Sequence, residues 1–302
     1  MQLISYIISV ILIAIPVIIL LSVLCAFVIL KHKTLVLCED TPADYGLPFT
    51  PFSCEGEHGA VLAGWYIPAR NQRAVIIASH GIADSKNGIL SYLLPYLKRD
   101  FSLVVYDMRH HNESTGKHCT LGYWEHKDLI RLTAYVKETF ANDAPLCYWG
   151  FSLGASISLI AAAVVPDVSA VIAQSPFVSI HQVVRHYITR FYYLPPWPFV
   201  PLALLIADWI SGAHSAEINV CRVAGLLRHI PLLLIGSSND RQVPLQWLEA
   251  LQRVIGNSAD LLVGPYGHMD IGRNAETYEP ERQEIIHSAA FLINSIETDS
   301  LC

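Results

Sequence analysis

Residues 146–155 read Leu-Cys-Tyr-Trp-Gly-Phe-Ser-Leu-Gly-Ala, an apolar run that enters Gly150-Phe151-Ser152-Leu153-Gly154 and leaves through the small, apolar series Ala155 to Ala163. The pattern predicts strand, sharp turn and helix, with Ser152 at the apex. A serine hydroxyl is a weak nucleophile until it is held out of the fold beside a base and near N–H groups, and a strand-to-helix elbow does this. Gly150 and Gly154 flank the serine because such a turn leaves no room for a Cβ against neighbouring backbone. The helix that follows aims its N-terminal N–H groups and its dipole at an oxygen that becomes anionic.

A base and an orienting acid are expected downstream, each just beyond the C-terminal end of a buried strand, where functional groups gather in open α/β sheets. Pro231 to Gly236 reads as such a strand and runs into Ser237-Ser238-Asn239-Asp240. Asp240 is therefore the candidate acid. Asp167 precedes a strand, Asp208 lies in an apolar helical segment and Asp260 opens a strand, so none of them has that placement. Ala259 to Val263 is the last strand candidate and ends in Gly264-Pro265-Tyr266-Gly267-His268. His268 is the candidate base; His287 falls within the terminal helix. The expected chemistry is attack by Ser152 on an acyl carbon, with His268 taking its proton and Asp240 orienting the imidazole, followed by hydrolysis of the acyl-enzyme. Two N–H groups would hold the oxyanion, one from Leu153 and one from Ile82. The latter follows His80-Gly81 after the strand Ala74–Ser79, and Gly81 lets that backbone turn in close. His80 reads as a structural hydrogen-bonding residue.

The elements that must position these groups alternate. Strands are expected at 61–67, 74–79, 102–107, 145–149, 169–173, 231–236 and 259–263, and helices at about 85–98, 124–141, 153–164, 244–255 and 279–296. This rhythm predicts a mostly parallel, doubly wound sheet with helices on both faces. Asp107 and Arg109, after the 102–107 strand, read as structural loop residues. The rhythm breaks at about 177–228, a stretch long for a loop that contains the aromatic-proline run Phe191 to Phe199. It reads as a helical cap over the site, and its apolar content suggests a hydrophobic acyl pocket.

Leu3 to Leu30 carries no charge and exceeds the ~20 residues needed to cross a bilayer. It is too long, and lacks the basic start, for a cleaved signal peptide. The chain is thus read as an N-terminal transmembrane anchor with its basic flank over 1–33, an appendage whose removal leaves the rest active, and a catalytic domain over 34–302. Lys31-His32-Lys33 after the span puts that domain in the cytoplasm by the positive-inside rule. Seven cysteines, odd in number and unpatterned, suit a reducing compartment, with a Cys38–Cys54 bridge as the alternative. The formal net charge of −6 argues against nucleic acid. No phosphate loop or dinucleotide fingerprint occurs, and no cofactor is expected. His110, His111, His118, Cys119 and His126 lack the spacing of metal ligands, so they read as a substrate-side loop and no metal is expected.

Over residues 50–297 the chain resembles the α/β-hydrolase superfamily, and within it serine hydrolases with an N-terminal membrane anchor. The resemblance rests on Leu62 to Pro68, His80-Gly81, Tyr106 to Arg109, Glu125 and Asp128, Gly150 to Gly154, Asp240 to Pro244 and Gly267-His268. It places nucleophile, acid and base on Ser152, Asp240 and His268. One departure is visible: relatives have Arg-Gly-His-Gly or similar where this chain has Arg109-His110-His111-Asn112, which alters the loop beside the oxyanion site. The function expected is hydrolysis of carboxylic esters or thioesters with an apolar, lipid-like acyl part. A peptidase of the same fold and a non-catalytic membrane scaffold are the alternatives.

Overall fold

The computed structural model describes residues 2–32, 34, 38–265, 267, 268 and 279–299. Lys33, half of the expected basic flank, lies outside them. Helix α1 (Gln2–Leu30) comes first, followed by strands β1 (Thr50–Glu55), β2 (Val61–Ile67) and β3 (Ala74–Ser79). Then α2 (Lys86–Leu97), β4 (Phe101–Tyr106), α3 (Tyr123–Val136), β5 (Leu146–Phe151), α4 (Leu153–Ala162) and β6 (Val168–Gln174) alternate. Helices α5 (Ile180–Arg190), α6 (Pro196–Ser211) and the short α7 (Val220–Val223) fall within residues 177–228, the stretch expected to form a cap and called the cap below. The chain then returns to β7 (Leu232–Ser237), α8 (Leu245–Ile255), β8 (Ala259–Gly264) and α9 (Glu279–Asp299).

Among the described residues the strands form one eight-stranded sheet in the order β1-β2-β4-β3-β5-β6-β7-β8. Only the pairings made by β2 are antiparallel; β4 through β8 run parallel. Every residue of β3, β4 and β7 is buried, as near-continuous apolar runs require when helices cover both faces. The strand period of two divides them: Val75 and Ile77 pack into the layer that holds α3, α4 and α8. Ala74, Ile76 and Ala78 pack into the layer that holds α2 and α9. Helix α4 is buried along its whole length, which explains why its sequence is apolar on every side.

This strand order positions the site. From β3 the chain moves outward to β4, then crosses back to β5 on the other side of β3. The carboxyl ends of β3 and β5 therefore flank a crevice at the switch point of the sheet. His80 to Ala83 and Ser152 emerge there.

Candidate active site

Ser152 caps α4 with φ 53° and ψ −112°, a backbone conformation that side chains seldom adopt. The neighbours explain why the elbow can be no looser. A Cβ on Gly150 would strike the Gly154 carbonyl, and one on Gly154 would strike the backbone of Ser79 and His80. The serine N–H donates to the Gln174 carbonyl at 2.8 Å, tying the elbow to the end of β6.

Ser152, Asp240 and His268 come together from three loops. Nε2 of His268 lies 3.1 Å from Ser152 Oγ. Its Nδ1 lies 2.6 Å from Asp240 Oδ2, with both side chains almost fully buried. The other carboxylate oxygen, Oδ1, accepts the N–H groups of Gln242 and Val243, each at 2.8 Å. Burial opposes ionisation of Asp240, but the hydrogen bond and charge of His268 and these two N–H groups outweigh it, holding its pKa below the ordinary value. Phe151 lies against the His268 ring, centroids 5.0 Å apart.

Beyond β3, the loop that carries Gly81 and Ile82 is braced by two histidines. Met108 N–H donates to His80 Nε2 at 2.9 Å, so the His80 proton is on Nδ1, 2.6 Å from the Gly81 carbonyl. Ala83 N–H donates to His111 Nε2 at 3.2 Å, and His111 Nδ1 donates to the Arg109 carbonyl at 2.8 Å. Burial pushes both imidazoles below the usual histidine range. Gly81 is needed because a Cβ there would press on Phe151, at 2.9 Å.

The loop expected to face substrate is built differently. His111 is fully buried and turned inward as the brace just described. His110 (φ 62°) and Asn112 (φ 41°) take the left-handed conformation at the departure from the glycine-rich pattern. Histidine and asparagine tolerate that region better than most residues. Beneath the loop, Lys86 is fully buried and bonds Asp107 at 2.6 Å and Glu113 at 2.7 Å. Arg109 makes a two-pronged pair with Asp128 at 2.5 and 2.7 Å. Among the described residues, no three histidine, cysteine or carboxylate side chains converge as metal ligands. Cys38 and Cys54 are free thiols.

On the far side of Ser152 lies a cavity of about 350 Å³. Its lining is apolar apart from a few groups, Ser152 and His32 among them, and includes Ile82, Leu153, Phe177, Val184 and Ile188. The cap is tied to the acid loop by Tyr187, whose hydroxyl donates to Gln242 at 2.5 Å, and by His186, whose Nε2 donates to the Arg241 carbonyl at 2.8 Å. Burial, helped by Asp240 and Tyr192, raises the Tyr187 pKa to about 12.

One wall was not foreseen. Leu21, Leu24, Cys25, Val28 and His32 of the N-terminal segment also line this cavity. The segment is thus no detached appendage: Ser22, Ala26 and Leu30 are buried, the last two packing with Ala207 of α6. A helix apolar on all sides has no periodicity to reveal which face packs. The signal available was Ser22 and Ala26, small residues four apart that allow close helix approach. Burial, then the nearby His111 and His110, lowers the His32 pKa to about 4.

Strand order and switch-point crevice together define the α/β-hydrolase fold. Residues 74–197 match the family model described as the alpha/beta hydrolase fold. The esterase PF2001 of Pyrococcus furiosus superposes with a TM-score of 0.71 at 20% identity, over 88% of this chain and 98% of that one. Est1E of Butyrivibrio proteoclasticus, with ferulic acid bound, gives 0.65 at 18% identity, over 82% and 99%. Among curated proteins the chain is similar to the uncharacterized protein YqkD of Bacillus subtilis, 25% identical over 78% of this chain and 79% of that one. It is also similar to human protein ABHD12B, 26% identical over 70% of this chain and 59% of that one. The chain has the α/β-hydrolase fold, with a long apolar helix in front of it.

Proposed function

We propose that this chain is a membrane-anchored serine hydrolase that cleaves carboxylic esters or thioesters with an apolar acyl part. The observation that carries the reading is Ser152 Oγ, 3.1 Å from an imidazole that is itself held by Asp240, facing an apolar cavity. His268 Nε2 takes the Ser152 proton as Oγ attacks the acyl carbonyl. The oxyanion accepts hydrogen bonds from the N–H groups of Leu153, at the start of α4, and of Ile82. Asp240 stays ionised, fixes the Nδ1–H tautomer and stabilises the imidazolium. The imidazolium then protonates the departing alcohol or thiol. Water, deprotonated by His268, attacks the acyl-enzyme, and the acid leaves with Ser152 restored. A scaffold has no need of this constellation, and the apolar lining favours an acyl chain over a peptide.

Helix α1, with 29 residues and a mean hydropathy of 3.2 over its most apolar window, is long and apolar enough to serve as the anchor. A cytoplasmic catalytic domain follows from the basic residues after it. Ser152→Ala tests the proposal. Labelling by a fluorophosphonate probe and hydrolysis of an ester panel are both expected to vanish while the thermal melt is retained. Turnover near the wild-type rate would remove Ser152 from its role, and cleavage of aminoacyl amides in preference to esters would favour a peptidase.

A further inference from the structure

Helix α1 has two faces that do different things. Ser22, Ala26 and Leu30 are buried, on the side that meets α6. Leu21, Leu24, Cys25 and Val28, on adjacent turns, form a second stripe that lines the Ser152 cavity, and His32, just past the end of the helix, continues that wall. Across that cavity stand Val184 and Ile188 of α5, themselves buried. The helical part of the stripe, from Leu21 to Val28, runs about 10 Å along the axis, at 1.5 Å per residue.

The stripe also has a direction. Just past His32, Thr34 Oγ1 accepts the Asn112 N–H at 2.8 Å, next to His111, whose Nε2 holds the loop of Ile82 beside Ser152. The His32 end is thus the chemical end. The Leu21 end leads toward residues 3–13, which are exposed along their whole length and wholly apolar apart from Ser5, Tyr6 and Ser9. Leu24 and Val28 are themselves about half exposed, at 51% and 47%, so the cavity opens along the helix instead of being sealed behind it. Elsewhere the segment of residues 180–211 presents Tyr193, Trp197 and Trp209 to the outside, residue types that settle at membrane–water boundaries.

We infer that helix α1 is a wall of the acyl site, and that the site takes the ester or thioester of a long fatty acyl chain that reaches Ser152 along this helix from the bilayer. This rests on the hydrolase reading above and adds the substrate class. A chain lodged between α1 and α5 keeps apolar contact from the lipid to Ser152, whereas a chain arriving through water would first expose its methylenes. A short, soluble ester uses only the chemical end and gains nothing from the stripe.

The test uses the full chain in phosphatidylcholine vesicles and two independent readouts. First, kcat/KM is measured for p-nitrophenyl acetate and p-nitrophenyl palmitate. Val28→Trp and Cys25→Trp, which fill the stripe, are expected to lower the palmitate-to-acetate ratio at least tenfold. Leu20→Trp, on an exposed position outside the cavity, leaves the ratio as in wild type; thermal melts report that each variant is folded. An unchanged ratio in both stripe variants overturns the inference. Second, the Ser152→Ala protein is irradiated with a palmitoyl ester bearing a diazirine in its tail. Adducts are expected on Val184 or Ile188, which bulk lipid does not reach, and are lost when Val28→Trp is added. Adducts confined to residues 2–20 overturn the inference. Failure of the hydrolase reading has a separate signature, the absence of any Ser152-dependent hydrolysis in wild type, and the cross-linking arm decides the inference even then.

Discussion

The two sides of Ser152 are held by different forces. On the loop side, from His80 to Ala83 and from Asp107 to Glu113, nearly every contact is polar and buried. Lys86 meets Asp107 with both side chains fully buried, Arg109 grips Asp128, and two neutral histidines accept backbone N–H groups. On the cap side the contacts are apolar, and two hydrogen bonds, from Tyr187 and His186, tie α5 to the acid loop. Tyr193, Trp197 and Trp209 there are 87%, 78% and 84% exposed. Directional bonds fix geometry to tenths of an ångström, whereas apolar packing fixes volume and tolerates exchange. The loop side suits the positioning of N–H groups around a reacting oxygen. The cap side suits an acyl chain of variable shape.

Substitutions on each side sharpen or break this contrast. The largest effect is expected at the acid. Asp240→Asn leaves the packing but releases the His268 tautomer, so kcat should fall by about 10³–10⁴ on the precedent of such triads; a near-normal kcat would mean another carboxylate orients the imidazole. Next comes the buried ion pair. Asp107→Ala removes the buried partner of Lys86, leaving only the largely exposed Glu113 carboxylate beside its charge, and should destabilise the fold by up to about 3–5 kcal/mol, read from urea unfolding. A loss below about 1 kcal/mol, the scale of an exposed pair, would show that the loop side is not held as described. Tyr187→Phe removes one hydrogen bond between cap and acid loop and should cost about 0.5–1.5 kcal/mol in the same assay. Trp209→Ala, on the outer surface of α6, should change stability by no more than about 0.5 kcal/mol in the same assay.

Acid titration separates the sides as well. The folded-state pKa of Asp240 is depressed, so its contribution to stability is complete above the unfolded value of about 3.9. That contribution is lost as pH falls through the lower, folded-state value. Unfolding midpoints followed from pH 5 downward should show this acid limb in wild type and a shallower one in Asp240→Asn.

The sequence exposed local constraints and hid remote ones. Ser152 was legible because its turn forces glycine at 150 and 154, both within two residues. Asp240 and His268 were legible because the apolar runs before them stop abruptly, and strand ends are where such groups gather. Strand β1 was not delimited: Thr-Pro-Phe-Ser-Cys-Glu carries a proline that only an edge strand tolerates, and only Phe52 and Cys54 turn inward. The partners of Lys86 lie 21 and 27 residues away, beyond the reach of any periodicity. His110 and His111 drew attention as a cluster, but only the folded chain shows that His111 points inward. The stripe on α1 was invisible because every position around that helix is apolar.

Gly154 carries one further consequence. Its missing side chain brings the first turn of α4 against the backbone of Ser79 and His80. The main chain of Gly154, next to Leu153, and the main chain of Ser79 and His80, which leads on to Ile82, therefore meet with no side chain between them. A gauge machined from one block keeps its gap whatever is bolted around it. Residues of α5, α6 and the N-terminal helix can change without resetting this spacing, the one the proposed reaction would use.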